Sequence, residues 1–122
     1  MILLDTNAVL FILTGNRRAR PLEPHFGRLR FSPFVLLELK ILEEGGRTRF
    51  TTVPAEAAVR DRRWIVDTPP LDSVIAAALD LSWTRDPFDR MITAHALSRR
   101  YRLATSDATI LHNLSPRMRL AL

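Results

Sequence analysis

Asp86–Asp107 reads DPFDRMITAHALSRRYRLATSD, and the rest of the chain can be organised around it. Asp before Pro is a strong helix opening, with Asp86 as N-cap and Pro87 at the first helical position. The spacing predicts a helix over DPFDRMITAHALSRR, a strand inside YRLATSD and a short helix over ATILHNL. The strand runs straight into an aspartate, Asp107. The same sign stands at the start of the chain: the apolar run MILL runs into Asp5, and TNAVLFILTG then reads as a helix ending near Gly15.

Working outward, NRRARPLEPHFGR carries two prolines and a glycine and reads as a loop or broken helix. Leu29–Phe31 is a brief strand. SPFVLLELKILEEGG has Ser32 as N-cap, Pro33 at the first turn and Gly45 as the stop. VPAEAAVRDRR reads as a further helix, WIVD as a strand, PLDSVIAAALDL as a helix and RMRLAL as a last edge strand. Strands alternate with helices, which predicts an α/β/α sandwich around a mostly parallel sheet. The 122 residues are read as a single domain, 1–122, with no repeat or linker.

Hydrophobic residues make up 47% of the chain, enough for a core and too many for a disordered segment. There is no cysteine, which excludes a disulfide framework and thiolate metal sites and fits a reducing cytoplasm. MILLDTNAVLFILTG lacks a basic leader and carries Asp5, so it makes a poor signal peptide, and no apolar stretch is long enough to span a membrane. Net charge is +5, and all the cations except Lys40 are arginines. Their clusters (Arg17, Arg18 and Arg20; Arg28 and Arg30; Arg60, Arg62 and Arg63; Arg99, Arg100 and Arg102) fit either a solvated surface or one that tracks phosphates.

The acids separate these readings. Asp5 and Asp107 each follow a strand, and ligands of open parallel sheets bind beyond the carboxyl ends of strands. Each could equally be a plain helix cap. Glu38 has Phe34, Val35, Ile41 and Leu42 as its helical neighbours, while Lys40, Glu43 and Glu44 lie opposite. A carboxylate on an apolar face wants an arginine or a metal ion. Capping explains Asp86 well. It explains Asp89 less well, because Asp89 aligns with Ile92 and Ala96. Brought together, Asp5, Glu38, Asp89 and Asp107 would repel one another unless a hard cation such as Mg²⁺ or Mn²⁺ intervened. An acidic pocket on an arginine-rich protein points to a metal-dependent nuclease. His25, His95 and His112 are scattered and read as core or surface residues; Trp64 and Trp83 read as packing.

The ordered set ILLDTNAVL, ELKILEEGG, RDPFDRMITAHAL and LATSDATI resembles PIN-domain ribonucleases, and among them the VapC-type toxins of toxin–antitoxin pairs. The resemblance spans essentially the whole chain, although no motif is matched between Gly45 and Pro70. It implies a PIN-like fold with a five-stranded parallel sheet and a metal site of Asp5, Glu38, Asp89 and Asp107 for one or two Mg²⁺. Thr6, Asn7, Thr105 and Ser106 would orient those carboxylates, with Asp86 supporting them from behind. It further implies RNA as substrate, a VapB-like antitoxin as partner, a homodimer and a cytoplasmic location. A response-regulator receiver would want paired acids after the first strand and a lysine near the last. A haloacid-dehalogenase-like phosphatase would want a second aspartate where Asn7 stands. A non-catalytic PIN-like RNA-binding or interaction module would usually lack one of the four acids.

Overall fold

The computed structural model describes residues 1–46 and 53–122. Its strands are β1 (Ile2–Leu4), β2 (Leu29–Phe31), β3 (Trp64–Val66), β4 (Arg102–Thr105) and β5 (Arg119–Ala121). They form one five-stranded sheet in the order β3-β2-β1-β4-β5, with every pairing parallel. The helices are α1 (Thr6–Leu13), α2 (Pro33–Glu44), α3 (Leu71–Leu79), α4 (Pro87–Arg99) and α5 (Ala108–Asn113). They flank the sheet, giving the α/β/α architecture that the alternation predicts.

Central parallel strands are covered on both faces and are apolar throughout. All three residues of β1 are buried accordingly. Leu3, Leu4, Phe31 and Leu103 meet in the main core, where Phe31 stacks on Trp64 at 5.5 Å between ring centroids. Val74, Ala78, Leu81 and Ala94 form a second apolar cluster that fastens α3 to α4. Arg90 strengthens that join. Its guanidinium donates to the carbonyls of Ala78 (2.7 Å), Leu79 (3.2 Å) and Thr84 (3.3 Å), closing the carboxyl end of α3 and the loop that leads to α4.

Two segments differ from expectation. Arg17–His25, expected as a loop or broken helix, is a continuous 3₁₀ helix. Pro21 and Pro24 lack the N–H that an α-helical ladder would need, and the tighter turn accommodates them. VPAEAAVRDRR, expected as a helix, holds only a short 3₁₀ segment, Ala55–Arg60. Pro54 offers no side-chain cap. The carbonyl of Ala58 is taken by the Trp64 indole N–H (2.7 Å) and the Asp61 N–H (3.2 Å), so the ladder does not run on.

α4 ends on Arg100, which adopts left-handed φ/ψ of 58° and 36° and donates its N–H to Leu97 at 3.2 Å. A side chain pays for that conformation and glycine does not. Arg100→Gly is expected to raise stability by about 1 kcal/mol, and the melting point by a few degrees. Thermal melting of the two proteins checks this, and an unchanged or lower midpoint would contradict it.

Candidate metal centre

The strand order reverses at β1, whose partners are β2 on one side and β4 on the other. Such a switch point opens a crevice beyond the carboxyl ends of the strands. The register aligns Leu4 with both Phe31 and Ala104, so Asp5 emerges beside Ser32 and Thr105. Asp5 also donates its backbone N–H to Ala104 at 3.2 Å. Asp107 follows β4 two residues beyond Thr105.

Each acid is held by its own local structure. Asp5 caps α1, one carboxylate oxygen accepting the Ala8 N–H at 2.7 Å. Asp107 caps α5 through the Ile110 N–H at 2.9 Å. The Thr105 hydroxyl stands between the two: it accepts the Asp107 N–H at 3.0 Å and acts to lower the Asp5 pKa against burial. Glu38 accepts the Thr6 hydroxyl. Asp86 caps α4, accepting the N–H groups of Phe88 and Asp89, each at 2.9 Å. Asp89 stands in the first turn of α4. Asn7 is exposed and Ser106 half-buried, and among the described residues neither is hydrogen-bonded to a carboxylate. Glu38 lies at the border of its apolar stripe rather than in the middle. Val35 and Leu39 are buried, whereas Leu37 and Ile41 are 54% and 46% exposed.

Electrostatics bind the acids into one group. Asp5 is buried, and desolvation raises its pKa from 3.8 to about 6, with repulsion from Asp107 and Glu38 adding to it. Asp89 is likewise raised to about 6, by desolvation and then by Asp86, Asp107, Glu38 and Asp5. Glu38 is raised by desolvation and by Asp86, against the lowering effect of Thr6. Among the described residues, the ion pairs go elsewhere: Lys40 to Glu43 and Glu56, Arg63 to Asp61, and His95 and Arg99 to Asp67. Among the described residues, the acids at the crevice have no arginine or lysine partner.

A hard divalent cation is what such a donor set fits: all oxygen, anionic and uncompensated. The set is open as it stands. Among the described residues no three His, Asp or Glu side chains are close enough to grip one ion together. Glu38 and Asp107 each have one carboxylate oxygen hydrogen-bonded to the protein, which leaves the other for a cation.

The fold has known counterparts. A toxin–antitoxin complex from Klebsiella pneumoniae superposes with a TM-score of 0.71 at 14% identity, covering 99% of this chain and 97% of that one. FitAB bound to an IR36 DNA fragment gives 0.56 at 21% identity, covering 92% and 89%. No protein-family model matches the sequence, and no curated protein does either. At these identities the likeness is one of fold.

Behind the crevice lies a polar cluster that the sequence does not reveal. His95 is fully buried in α4; its Nδ1 is 2.8 Å from Ser32 Oγ, and its Nε2 is 2.7 Å from Asp67 Oδ2. Arg99 also grips Asp67, at 3.0 and 3.2 Å. Ser, His and Asp in that order mimic a nucleophilic triad, but Ser32 and His95 have no exposed surface, so no substrate reaches them. The only signal in the sequence is Asp67 at the end of a strand.

The raised carboxyls give a pH prediction. A carboxyl that ionises less readily folded than unfolded adds stability that is full below its unfolded pKa, 3.8, and is lost as pH rises through about 6. In EDTA, the stability gain of Asp5→Asn over the parent should therefore be small at about pH 4 and larger by roughly 3 kcal/mol at about pH 7. Asp89→Asn should show the same sign with a smaller size, because Asp89 is more exposed to solvent. Urea unfolding at the two pH values measures it; a gain independent of pH would show that Asp5 is not strained by ionisation.

Proposed function

We propose that this protein is a metal-dependent ribonuclease of the VapC type, the toxin of a toxin–antitoxin pair neutralised by a VapB-like antitoxin. The observation that carries the reading is the mutual repulsion of Asp5, Glu38, Asp89 and Asp107 near the switch point of a parallel sheet, with no cationic side chain among the described residues paired to them. The fold likeness to a toxin–antitoxin complex and to FitAB supports the same reading.

In this reading Asp5, Glu38, Asp89 and Asp107 hold one or two Mg²⁺, with Mn²⁺ as a substitute. Bound there, the metal supplies Lewis acidity toward a phosphodiester and acidifies water. The chain's own part is placement. Asp5 and Asp107 follow strand ends and cap the helices after them, and Thr6 fixes the Glu38 carboxylate. Arginine clusters hold the RNA backbone through its phosphates. Water attacks phosphorus in line, the bond from phosphorus to the 3′ oxygen breaks, and that oxygen takes up a proton. The products carry 5′-phosphate and 3′-hydroxyl.

Protein partners are supported by surface apolar residues. Leu71, Ile75 and Leu79 recur every four residues along α3 and are 62%, 42% and 72% exposed. They suit contact with an antitoxin or with a second copy in a homodimer. Among the described residues no helix is long and apolar enough to cross a membrane. The open arrangement of the acids favours one competing reading, a PIN-like module that binds RNA without cutting it.

Three experiments separate these. Asp5→Asn should abolish cleavage of RNA in Mg²⁺ while the protein remains folded; cleavage at the parent rate would remove Asp5 from the site. Asp89→Asn should lose activity and weaken Mn²⁺ binding, whereas Asp86→Asn keeps a good cap and should lose far less. Equal losses in calorimetric titration and cleavage assays would show that the two roles are not divided this way. Finally, Mg²⁺ at a hundredfold excess over Kd should stabilise the parent by about 2.7 kcal/mol relative to EDTA. NaCl of matched ionic strength should not. Thermal melting that fails to distinguish the salts, at metal levels that support cleavage, would mean that metal enters only with RNA.

A further inference from the structure

His95 joins the two helices that carry acids of the crevice. Ser32 is the N-cap of α2, and Glu38 lies six residues further along that helix. His95 lies in α4, six residues after Asp89. At 1.5 Å per residue, each acid stands about 9 Å along its helix from the His95–Ser32 contact. Ser32 is also the strand-end neighbour of Asp5, since Leu4 and Phe31 are paired. The third arm reaches Asp67, which follows β3 and donates its backbone N–H to Phe31 at 2.9 Å.

The bonding is complete and has one direction. Asp67 is held ionised, below the usual carboxylate range, by His95 and Arg99 against its own desolvation. An ionised carboxylate can only accept, so the Nε2–H of His95 donates to it. Nδ1 then accepts, and the Ser32 hydroxyl donates to it; Ser32 Oγ in turn accepts the Phe34 N–H at 3.3 Å. Both ring nitrogens of His95 are used, and neither His95 nor Ser32 has exposed surface. Phe34 packs edge-on against the ring, with centroids 6.5 Å apart. Hydrogen bonds fixed in this way allow one spacing between α2 and α4, where apolar packing alone would allow a range.

We propose that His95 is a positioning residue for the acidic crevice: by tying Ser32 to Asp67 it sets the separation of Glu38 and Asp89, and so the readiness of the carboxylates to close on a divalent cation. The proposal rests on the ribonuclease reading of that crevice. It assigns His95 no contact with RNA or metal. Groups that orient ligands from behind typically change affinity or activity by about ten- to hundredfold.

The test compares the parent with His95→Leu, which removes both bonds, His95→Gln, whose amide can restore them, and Asp67→Ala, which frees the far end. Mn²⁺ affinity is measured by calorimetry without RNA, kcat and KM on a defined RNA, and folding by thermal melting. His95→Leu is expected to weaken Mn²⁺ binding and lower kcat by about ten- to hundredfold, with KM for RNA changed less than about twofold. His95→Gln should recover most of both, and Asp67→Ala should fall between. A folded His95→Leu with the parent's Mn²⁺ affinity and kcat overturns the proposal. So do losses that follow only the unfolded fraction and are equal in the Leu and Gln variants. If His95→Leu does not fold, Asp67→Ala decides: parent values overturn the proposal, and a joint loss of Mn²⁺ affinity and kcat at unchanged KM supports it. A parent that binds Mn²⁺ but cuts no RNA removes the ribonuclease reading and leaves the Mn²⁺ arm to judge His95. A parent that cuts RNA, with His95→Leu cutting equally well, does the reverse. A parent that neither binds nor cuts overturns both.

Discussion

The parallel pairing of β1 with both β2 and β4 is the constraint on which the rest depends. β1 has only three residues, all buried, and its neighbours come from distant parts of the chain. Because the chain leaves β1 through α1 toward β2 and leaves β4 through α5 toward β5, at opposite sides of the sheet, the segments after these two neighbouring strands diverge and a crevice remains between their carboxyl ends. The register then dictates what lines it: Asp5, Ser32 and Thr105 come side by side, and Asp107 follows within two residues. A slip of one residue in either pairing would exchange the buried and crevice-facing positions.

Electrostatic strain is the consequence. The chain carries a net charge of +5, yet among the described residues the acids at the crevice have no cationic partner, while arginines bond to carbonyls and to other acids. Arg90, immediately after Asp89, spends its guanidinium on three carbonyls around the end of α3. It therefore holds the amino end of α4 in place without neutralising Asp89. The protein bears the repulsion at one end and offsets its cost through the apolar core and the satisfied polar contacts behind it. The same separation of tasks appears in the His95 cluster, where Asp67 has both a histidine and an arginine.

Fold likeness at 14% and 21% identity shows how little of the sequence the architecture needs. Short apolar strands, helix caps at strand ends and a reversal in strand order suffice. The chemistry depends on a handful of side chains placed upon that frame, and it is these that the substitutions address.

The sequence by itself determined the elements with strong local signals. Ser32-Pro33 and Asp86-Pro87 began α2 and α4 where caps and first-turn prolines require, and the strand-to-aspartate junctions at Asp5 and Asp107 were legible because both signals are local. Proline-rich segments were less so: whether Arg17–His25 and Ala55–Arg60 turn as 3₁₀ or α depends on carbonyl partners such as the Trp64 indole, which arrive from elsewhere in the chain. Helical periodicity put Glu38 amid an apolar stripe, but only packing decided which edge of that stripe is covered, and it left Leu37 and Ile41 in solvent. His95 shows the limit most clearly. Among three scattered histidines nothing local distinguished it, because its partners lie 63 and 28 residues away. Caps and strands are written in neighbouring residues, whereas burial, repulsion between carboxylates and the His95 bonds exist only once β1 has drawn distant segments together.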